Sequence, residues 1–492
     1  MAQLSFIDQA FFLLETEHRP MNIGALVVLA PPGGSRGRFA DALLEAMLAR
    51  PVGPPFNYRV KPGAVKGLVS VVEDEQMDPA PQVHRHRLKA GRDLRGLYEQ
   101  VCAIHSTRLP RTAPLFELHV FEGLPNGRVA LYFKTHHGLI DGIAFIRAFK
   151  SMVATAPGEH KPRAIWEGLR HVPMPQPVAR PSGIAGLLQF GESARRTSGD
   201  LMRLLWQQGL RRAGLGNGLV APFVSTPSVL AAEPSPHRVL AHCVLSLPQV
   251  RSIATRGGAK VNDVLLTVLD MAMHRYLAKH GSRANRPLVA DMPMALDDHG
   301  GAGNRITILQ VPLGRPDAEP AQRLAEIVRE TTLVKDEVRR SSNGALMAYS
   351  IAEHALASAI ESLDLRDLPM LANAVISNPA GFEHRAYFNG AEVELALPIS
   401  VVAHHQALNI TVTTYVDGLH VTFIALREAV PDLDRMARLA VAAVEELDAA
   451  LPQKSQKAQK SRVSATARRP RTGSRKASRR PGAGPTVQAA AG

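Results

Sequence analysis

Residues 134–142 read Lys134-Thr135-His136-His137-Gly138-Leu139-Ile140-Asp141-Gly142. A strand-like run at 128–135 leads into this segment, and a helix-like run at 143–154 follows it. Two histidines therefore stand at a predicted strand end, which is a rigid support from which folds present functional side chains. Because an unperturbed imidazole titrates near pH 6.5, such a group can accept and return a proton close to neutrality. The pattern predicts an active loop.

Two simpler interpretations compete with that one. A pair of histidines can lie on the surface or in a satisfied core without any chemical role. Histidine is also the commonest metal ligand, but a zinc site uses three or four ligands, and no nearby Cys or Glu completes a set. We therefore expect no metal at this loop.

Length and composition limit the class of protein. The chain has 492 residues, of which 45% are hydrophobic, so two domains with sizeable cores are expected. No apolar run approaches the ~20 residues that span a bilayer. Asp8 and Glu15 lie where a signal peptide would carry basic residues, and the two cysteines, Cys102 and Cys243, favour a reducing cytoplasm over a disulfide framework.

The net charge of +14 is concentrated at one end of the chain. Residues 452–492 contain 11 Lys and Arg and no Asp or Glu, which leaves 47 basic and 44 acidic side chains in residues 1–451. This Lys/Arg/Ser/Ala/Pro-rich tail contains no aromatic residue and is predicted to be disordered.

Two further stretches outside the histidine loop help to divide the chain. Residues 157–181 are dense in proline and have no period, which indicates a crossover linker. Residues 184–215 form a basic amphipathic stretch that can lie on an anionic membrane, or equally pack on a domain with a solvated arginine face. A strand at 238–245 opens the second half, and a long helix is predicted from about 259 to 280 with Asn262 or Asp263 as its N-cap.

His-His-x-x-x-Asp-Gly between a strand and a helix resembles the bacterial wax ester synthase/diacylglycerol acyltransferase family, within the chloramphenicol acetyltransferase-like superfamily. The opening segment at 4–24, the Pro114-Leu115-Phe116 segment, the Asn262-Asp263 pair and Gly303-Asn304 resemble further family motifs in the expected order. The resemblance covers roughly residues 4–450. It implies an α/β fold of two chloramphenicol acetyltransferase-like domains, the coenzyme A-dependent acyltransferase fold, with the active site in a channel between them.

The resulting domain prediction has four parts. Residues 1–156 form the N-terminal acyltransferase domain, 157–236 the linker with its basic helix, 237–451 the C-terminal acyltransferase domain and 452–492 the basic tail. By the family pattern, acyl-coenzyme A is a substrate rather than a cofactor, and no cofactor is required. The acceptor is diacylglycerol or a fatty alcohol.

The resemblance also implies roles for individual residues. His137 is the general base, His136 supports the loop or the acceptor, and Asp141 holds the loop in shape, through backbone N–H groups or an arginine. Gly142 is expected to permit a tight turn. Asn262 is a candidate oxyanion or base-orienting donor, and Asp263 belongs to the same motif.

Three features depart from the family pattern or resemble it only in part. Phe116 replaces the Trp of a Pro-Leu-Trp motif, so that Pro114, Leu115 and Phe116 are expected to line the substrate channel with an altered aromatic wall. Residues 377–381 read Ser-Asn-Pro-Ala-Gly where the family has Asn-Val-Pro-Gly-Pro. A second pair, His404-His405, lacks the Asp-Gly and is interpreted as structural.

Alternatives from other classes remain open at this stage. One is a superfamily acyltransferase that acts on another alcohol or on an amine. Another is a nucleic-acid-binding protein that uses the basic tail, although the near-neutral body and the absence of aromatics in the tail disfavour it. A basic tail equally suits peripheral attachment to the inner face of the plasma membrane or to lipid inclusions, and we expect a cytoplasmic protein of that kind.

Overall fold

Ten helices and fourteen strands occur in the part of the chain that the structure describes. A computed structural model describes residues 4–452 except 34–37, 64–67, 90–92, 158–162, 171–182, 226–227, 231, 297–305, 363–370 and 403–405. The helices are α1 (Phe6–Leu14), α2 (Phe39–Leu48), α3 (Leu94–His105), α4 (Gly142–Met152), α5 (Gly183–Arg212), α6 (Leu247–Arg256), α7 (Val261–Lys279), α8 (Pro320–Arg340), α9 (Asn343–Ser362) and α10 (Leu433–Ala450). The strands are β1 (Asn22–Ala30), β2 (Tyr58–Pro62), β3 (Val69–Glu73), β4 (Val83–Arg87), β5 (Phe116–Glu122), β6 (Val129–His136), β7 (Arg238–Ser246), β8 (Val289–Ala295), β9 (Ile306–Pro312), β10 (Ala374–Ser377), β11 (Tyr387–Phe388), β12 (Ala391–Ile399), β13 (Leu408–Tyr415) and β14 (Gly418–Leu426).

The strands form two six-stranded sheets and one hairpin. The first sheet has the order β11-β12-β1-β6-β5-β4, the second has the order β7-β14-β13-β10-β8-β9, and β2 pairs with β3. The predicted α/β class with two sheet-containing domains is therefore confirmed. Residues Met1–Leu451 form one compact unit.

The two sheets do not follow a simple division of the chain into halves. Strand β12 lies late in the sequence, yet it pairs antiparallel with β1 and extends the first sheet, with Gly24 opposite Ile399. The chain then continues directly into β13 of the second sheet. Helix α3 of the first half packs against β7 of the second. These exchanges hold the two sheets in one continuous arrangement.

Part of the predicted linker belongs to the first sheet's core. Residues 163–170 are described, and they contain a 3-10 turn at Ile165–Glu167 whose Trp166 side chain is fully buried. Trp166 packs against Phe116, and its carbonyl accepts a hydrogen bond from Gly53 N. Most of the remaining proline-rich stretch lies outside the described residues, as do Gly303-Asn304, His404-His405 and the tail beyond residue 452.

Helix α5 packs along the second domain through one face. Leu204 and Gln208 are buried against α9, and Arg203 and Arg211 form ion pairs with Glu337 (2.5 Å) and Glu330 (2.6 Å) of α8. Its opposite face is exposed to solvent. Among the described helices, α5 included, none combines the length and the apolar composition that a bilayer-spanning segment needs.

Candidate active site at the doubled histidine

The doubled histidine lies at the C-terminal end of β6, a central strand of the first sheet. All eight residues of β6 are buried, because this strand lies between β1 and β5. Its last residue, His136, lies opposite Asn22 of β1 and donates its backbone N–H to the Leu115 carbonyl at 3.2 Å. His137 N donates to the Met21 carbonyl at 2.7 Å. Hydrogen bonds to Leu115 on one side and to Met21 on the other therefore fix the backbone at the point where the loop begins.

His136 is committed to supporting the loop. Its Nδ1 accepts a hydrogen bond from Gly138 N at 3.0 Å, which assigns the ring proton to Nε2. Nε2 faces Glu15 Oε1 at 3.5 Å, a distance longer than a normal hydrogen bond. Burial lowers the pKa of His136 despite the opposing effect of Glu15. The ring, stacked on Phe12 at 4.1 Å between centroids, is thus held as a neutral imidazole.

His137 has the features required of a general base. Its ring stacks on Phe11 with centroids 3.9 Å apart and planes inclined by 12°. Its Nδ1 is buried and makes no hydrogen bond to another described residue. Burial is the main cause that lowers the pKa of His137; the contact with its own backbone carbonyl, and then the charges of Asp141 and Asp8, only partly oppose it. The imidazole is therefore neutral at physiological pH and can accept a proton.

Gly138 is the glycine that this loop requires. A β carbon at Gly138 would lie 2.5 Å from Phe12 Cε2 and 2.8 Å from the Asp8 carbonyl oxygen, so only a hydrogen atom fits between the loop and α1. Gly142, in contrast, is exposed at the first position of α4, and a β carbon there would meet nothing within 4 Å. The prediction that Gly142 permits a tight turn is therefore wrong, and Gly138 has the restricted position.

Asp141 is the N-cap of α4. Its Oδ1 accepts hydrogen bonds from Ile143 N at 2.7 Å and Ala144 N at 2.8 Å, satisfying two backbone donors that the helix leaves free. Within the described residues this carboxylate bonds to the helix terminus rather than to an arginine. It fixes the point at which the loop becomes helical and thus the path of the backbone that carries His137.

Glu15 is a functional residue of the site that was not predicted from the sequence. This buried carboxylate contacts Arg108 at 3.2 Å, Arg111 at 3.3 Å and the His136 ring. Burial alone would raise the pKa of Glu15, but the contacts with His136 and Arg108 outweigh it and lower the pKa to about 2. The carboxylate stays ionised and joins the end of α1 to the histidine loop.

The aromatic pair on α1 is the second feature that was missed. Phe11 and Phe12 each cover one histidine, and Arg111 lies 5.4 Å from the centre of the Phe12 ring while donating to the Phe12 carbonyl at 2.6 Å. The available signal was a doubled aromatic followed by a glutamate within the opening motif. Its partner, the doubled histidine, lies far away in the chain, so sequence spacing did not join the two.

Asn262 and Asp263 occupy the first turn of α7, but neither is its N-cap. The N-cap is Lys260, so the prediction was wrong by two or three positions. Asp263 lies at the third helical position, and its Oδ2 accepts from Lys260 N at 2.8 Å. Its Oδ1 accepts from Thr331 Oγ1 at 2.8 Å and lies 3.5 Å from Lys335 Nζ. Asp263 therefore ties α7 to α8 as well as capping its own helix.

Asn262 contacts the segment that departs from the family pattern. Its Oδ1 accepts from Asn378 Nδ2 at 3.4 Å, and in the described part of the chain it does not hydrogen-bond to the histidine pair. Ser377 Oγ donates to Thr411 Oγ1 at 3.1 Å, and Gly381 lies directly against the backbone of Thr414, where a β carbon would clash with the carbonyl oxygen. The role of Asn262 as an oxyanion donor stays a prediction.

Pro114, Leu115 and Phe116 are packed in the interior. All three are buried, and the Phe116 ring contacts Phe56 and Phe133 with centroid separations of 5.8 and 5.6 Å. The predicted channel wall is corrected for Phe116, since its ring belongs to the hydrophobic core of the first sheet. Leu115 acts on the site through its carbonyl, which accepts from His136 N and from Thr135 Oγ1 at 2.9 Å.

An apolar pocket lies between the two sheets, beside α4. Phe145, Ile146 and Phe149 of α4 line one side, and Phe382, Thr413 and Tyr415 line the other. Ala25 of β1 and Pro398 of β12 contribute the floor from the first sheet. The helix α4 that lines it begins directly after the histidine loop, but no residue of that loop lines the pocket itself.

Two family models match the chain. Residues 4–265 match the wax ester synthase/diacylglycerol acyltransferase catalytic domain, and residues 302–448 match the WS/DGAT C-terminal domain. The O-acyltransferase WSD of Acinetobacter baylyi is 30% identical over 442 residues, covering 89% of this chain and 94% of that protein. "Probable diacyglycerol O-acyltransferase Tgs4" of Mycobacterium tuberculosis is 30% identical over 467 residues, covering 91% and 96%.

Solved structures show a matching fold. The wax ester synthase/diacylglycerol acyltransferase from Marinobacter aquaeolei VT8 superimposes with a TM-score of 0.68 at 25% identity, covering 91% of this chain and 99% of that one. The first condensation domain of the CDA synthetase superimposes with a TM-score of 0.56 at 17% identity, over 92% and 97% of the two chains. The second likeness concerns the fold alone.

Proposed function

This chain belongs to the wax ester synthase/diacylglycerol acyltransferase family, and from that premise we propose that it transfers a long-chain acyl group from acyl-coenzyme A to an alcohol. The acceptor is the free hydroxyl of diacylglycerol, of a fatty alcohol, or of both. The observation that carries the proposal is the His137 ring at the end of a buried strand: burial lowers its pKa, so the imidazole is neutral, and no described side chain hydrogen-bonds to either ring nitrogen.

The reaction follows from the chemistry of the two substrates. An alcohol is a poor nucleophile at neutral pH, and a positioned base that removes its proton during attack typically contributes ~10²- to 10⁴-fold. The hydroxyl oxygen forms a bond to the thioester carbonyl carbon while His137 takes the proton. The carbon–sulfur bond then breaks, and the imidazolium returns the proton to the coenzyme A thiolate. No acyl-enzyme, cofactor or metal enters this scheme.

His137 is a better base than its neighbour because of the partners of each ring. His136 uses Nδ1 for Gly138 N and directs Nε2 toward Glu15, so a proton transfer at His136 would disrupt the loop. Among the described contacts, the ring nitrogens of His137 make no hydrogen bond that holds the loop, and stacking on Phe11 restricts the orientation of the ring. His136, Asp141 and Glu15 then act as positioning residues.

Only a short end of an acyl or alcohol chain fits the apolar pocket beside α4, which holds about 40 Å³. Its lining side chains are mostly aromatic and aliphatic, which suits a hydrocarbon chain and not a charged headgroup. Asn262 and Asn378 lie at the beginning of α7 and after β10, where side-chain amides can donate to a carbonyl oxygen that becomes negative. Both assignments are part of the proposal.

The experiment compares wild type with His137→Ala. Purified full-length protein is mixed with palmitoyl-coenzyme A and either dioleoylglycerol or hexadecanol, and thiol release and ester formation are measured. We expect kcat to fall by about 10²- to 10⁴-fold with little change in Tm. The matched control is His237→Ala, an exposed histidine of the second half, which should behave as wild type. Retention of more than about a tenth of wild-type kcat would overturn the assignment of the base.

An exposed ridge on α5 supports peripheral attachment to a lipid surface. Met202, Leu205 and Trp206 are 67%, 48% and 69% exposed, and their spacing places them on one side of the helix. Arg195, Arg196 and Arg212 are exposed on the same helix, so apolar and cationic groups face solvent together. Each basic side chain near an anionic bilayer contributes ~1 kcal/mol. This arrangement suits the inner face of the plasma membrane or a lipid inclusion.

Vesicle flotation tests the lipid attachment. Trp206→Ser should weaken binding to vesicles of phosphatidylglycerol and phosphatidylcholine, whereas Val441→Ser, an exposed apolar residue on α10, should not. Removal of residues 453–492 should weaken only the salt-sensitive part of vesicle binding. Activity on dispersed substrate should be unchanged. Equal flotation of wild type and Trp206→Ser would exclude the ridge as the attachment surface.

A further inference from the structure

Four polar side chains of metal-binding type share one face of the first sheet, away from the doubled histidine. Strands β4 and β5 run parallel with His84 opposite His119, and β4 is the edge strand. Because side chains alternate across a strand, His84 and His86 of β4 lie on the same face as Glu117 and His119 of β5. The stacking of His86 on His119, at 5.2 Å between centroids, agrees with this placement.

Three of these residues have the spacing of a coordination site. One ligand atom each from His84, Glu117 and His119 lies within 4.8 Å of the other two. His119 Nε2 and Glu117 Oε2 are 3.1 Å apart, which is close to the ~3.3 Å expected between two ligands of a tetrahedral zinc ion. His84 is the most accessible of the three and belongs to the edge strand β4.

Other side chains hold the two inner ligands in position. His119 Nδ1 is 3.0 Å from His86 Nε2, so when Nε2 of His119 binds a metal, Nδ1–H can donate to His86. Lys134 Nζ lies 2.7 Å from Glu117 Oε2 and donates to the carbonyls of Ile104 and Thr107. Metal-binding histidines and carboxylates regularly have such outer partners, which orient them.

The charges around these side chains also bear on cation binding. The buried Lys134 ammonium repels a cation, but the Glu117 carboxylate in direct contact with it offsets that charge.

We propose that His84, Glu117 and His119 form a site for a divalent transition-metal ion of the zinc class, with water as the remaining ligand. Two imidazoles and one carboxylate favour Zn²⁺, Co²⁺ or Ni²⁺ over Mg²⁺ and Ca²⁺, which prefer oxygen ligands alone. A bound ion joins the edge strand β4 to β5. It stabilises the sheet that carries the histidine loop, and the proposal is independent of the acyl-transfer chemistry.

Cobalt titration of metal-stripped full-length protein tests the site. We expect wild type to bind one equivalent of Co²⁺ with visible absorption, to lose the signal when Zn²⁺ is added, and to show a higher Tm with Zn²⁺. His84→Gln should weaken binding at least ~10-fold and abolish the rise in Tm. Its folding is checked by circular dichroism, and the position is partly exposed.

Two control variants separate this site from others. His237→Gln, an exposed histidine next to Glu428, and His137→Ala, in the doubled histidine, should both bind Co²⁺ as wild type does. His84→Gln that binds like wild type, or loss of binding in either control, would overturn the assignment. His86→Gln should weaken binding less than His84→Gln, because His86 hydrogen-bonds to a proposed ligand, His119, rather than being one.

Discussion

Asp141, in the loop after β6, and Asp263, in α7, both lie at the beginning of a helix. Asp141 belongs to the half of the molecule that contains the first sheet, and Asp263 to the half that contains the second. Asp141 bonds only to the terminus of its own helix, through Ile143 N and Ala144 N. Asp263 bonds to Lys260 N, but it also reaches Thr331 and Lys335 of a different helix. The two carboxylates have similar positions in the sequence, but only Asp263 contacts a second helix.

The two aspartates also differ in whether the buried polar atoms around them have hydrogen-bond partners. Next to Asp141, His137 Nδ1 is a buried polar atom that makes no hydrogen bond to another described residue. Around Asp263, both carboxylate oxygens have partners. Buried polar groups normally find partners, so an unused one in the histidine loop is a candidate for a chemical role. We therefore interpret the first region as the site of the proposed base and the second as helix packing.

Of the three variants that test this comparison, Gly138→Ala in the first region should have the largest effect. The added β carbon overlaps Phe12 and the Asp8 backbone, so α1 must move away from the histidines. Overpacking of this kind typically costs about 1–3 kcal/mol. We expect a lower Tm and a more than ~10-fold loss of activity. Gly142→Ala is the control and should stay within about 0.5 kcal/mol of wild type. Equal behaviour of the two variants would contradict the close contact between α1 and the loop.

Asp263→Ala should affect stability and spare the chemistry. The change leaves Lys260 N without its acceptor and removes the hydrogen bond that the buried Thr331 hydroxyl makes from α8 to α7, which costs about 1–3 kcal/mol. Chemical denaturation measures the loss, and thiol release measures kcat, which we expect within about twofold of wild type. A kcat that falls by orders of magnitude in a folded Asp263→Ala protein would place this residue in the catalytic machinery.

Asp141→Asn should have the smallest effect. Asparagine is also a good N-cap, so the hydrogen bonds to the helix persist, and only the favourable interaction of the charge with the helix dipole is lost, about 0.3–1 kcal/mol. Tm and activity should fall slightly and together. The negative charge of Asp141 raises the pKa of His137, so any shift of the acid limb of the rate profile is toward lower pH. A displacement of about one pH unit in a variant that melts like wild type would make Asp141 an electrostatic partner of the base.

Local features of the fold were predictable from sequence. The strand that leads into the histidines and the helix that follows the loop depend on neighbours within a few residues, and the structure has both within one or two positions of the predicted bounds. The N-cap of α7 was misplaced for an equally local reason, because an aspartate at the third helical position can cap backward onto Lys260.

Features that depend on tertiary packing were not predictable in the same way. The contact of Glu15 with His136 joins the end of α1 to the end of β6, and no periodicity links them. Phe116 was expected at a channel because its motif borders the site, but its place on β5 directs the ring into the core with Phe56 and Phe133. Strand β12 extends the first sheet from the far end of the chain, which spacing alone does not indicate.

The pH dependence of kcat/KM, measured on wild type and His137→Ala in parallel, tests the central claim most directly. The base must be neutral to act, so activity rises with pH through its pKa. Because burial lowers the pKa of His137 below its ordinary value of 6.5, we expect the acid limb of wild type to have its midpoint below pH 6.5. The residual rate of His137→Ala should lack that limb. An acid limb that stays at the same pH after His137 is removed would show that another group is the base.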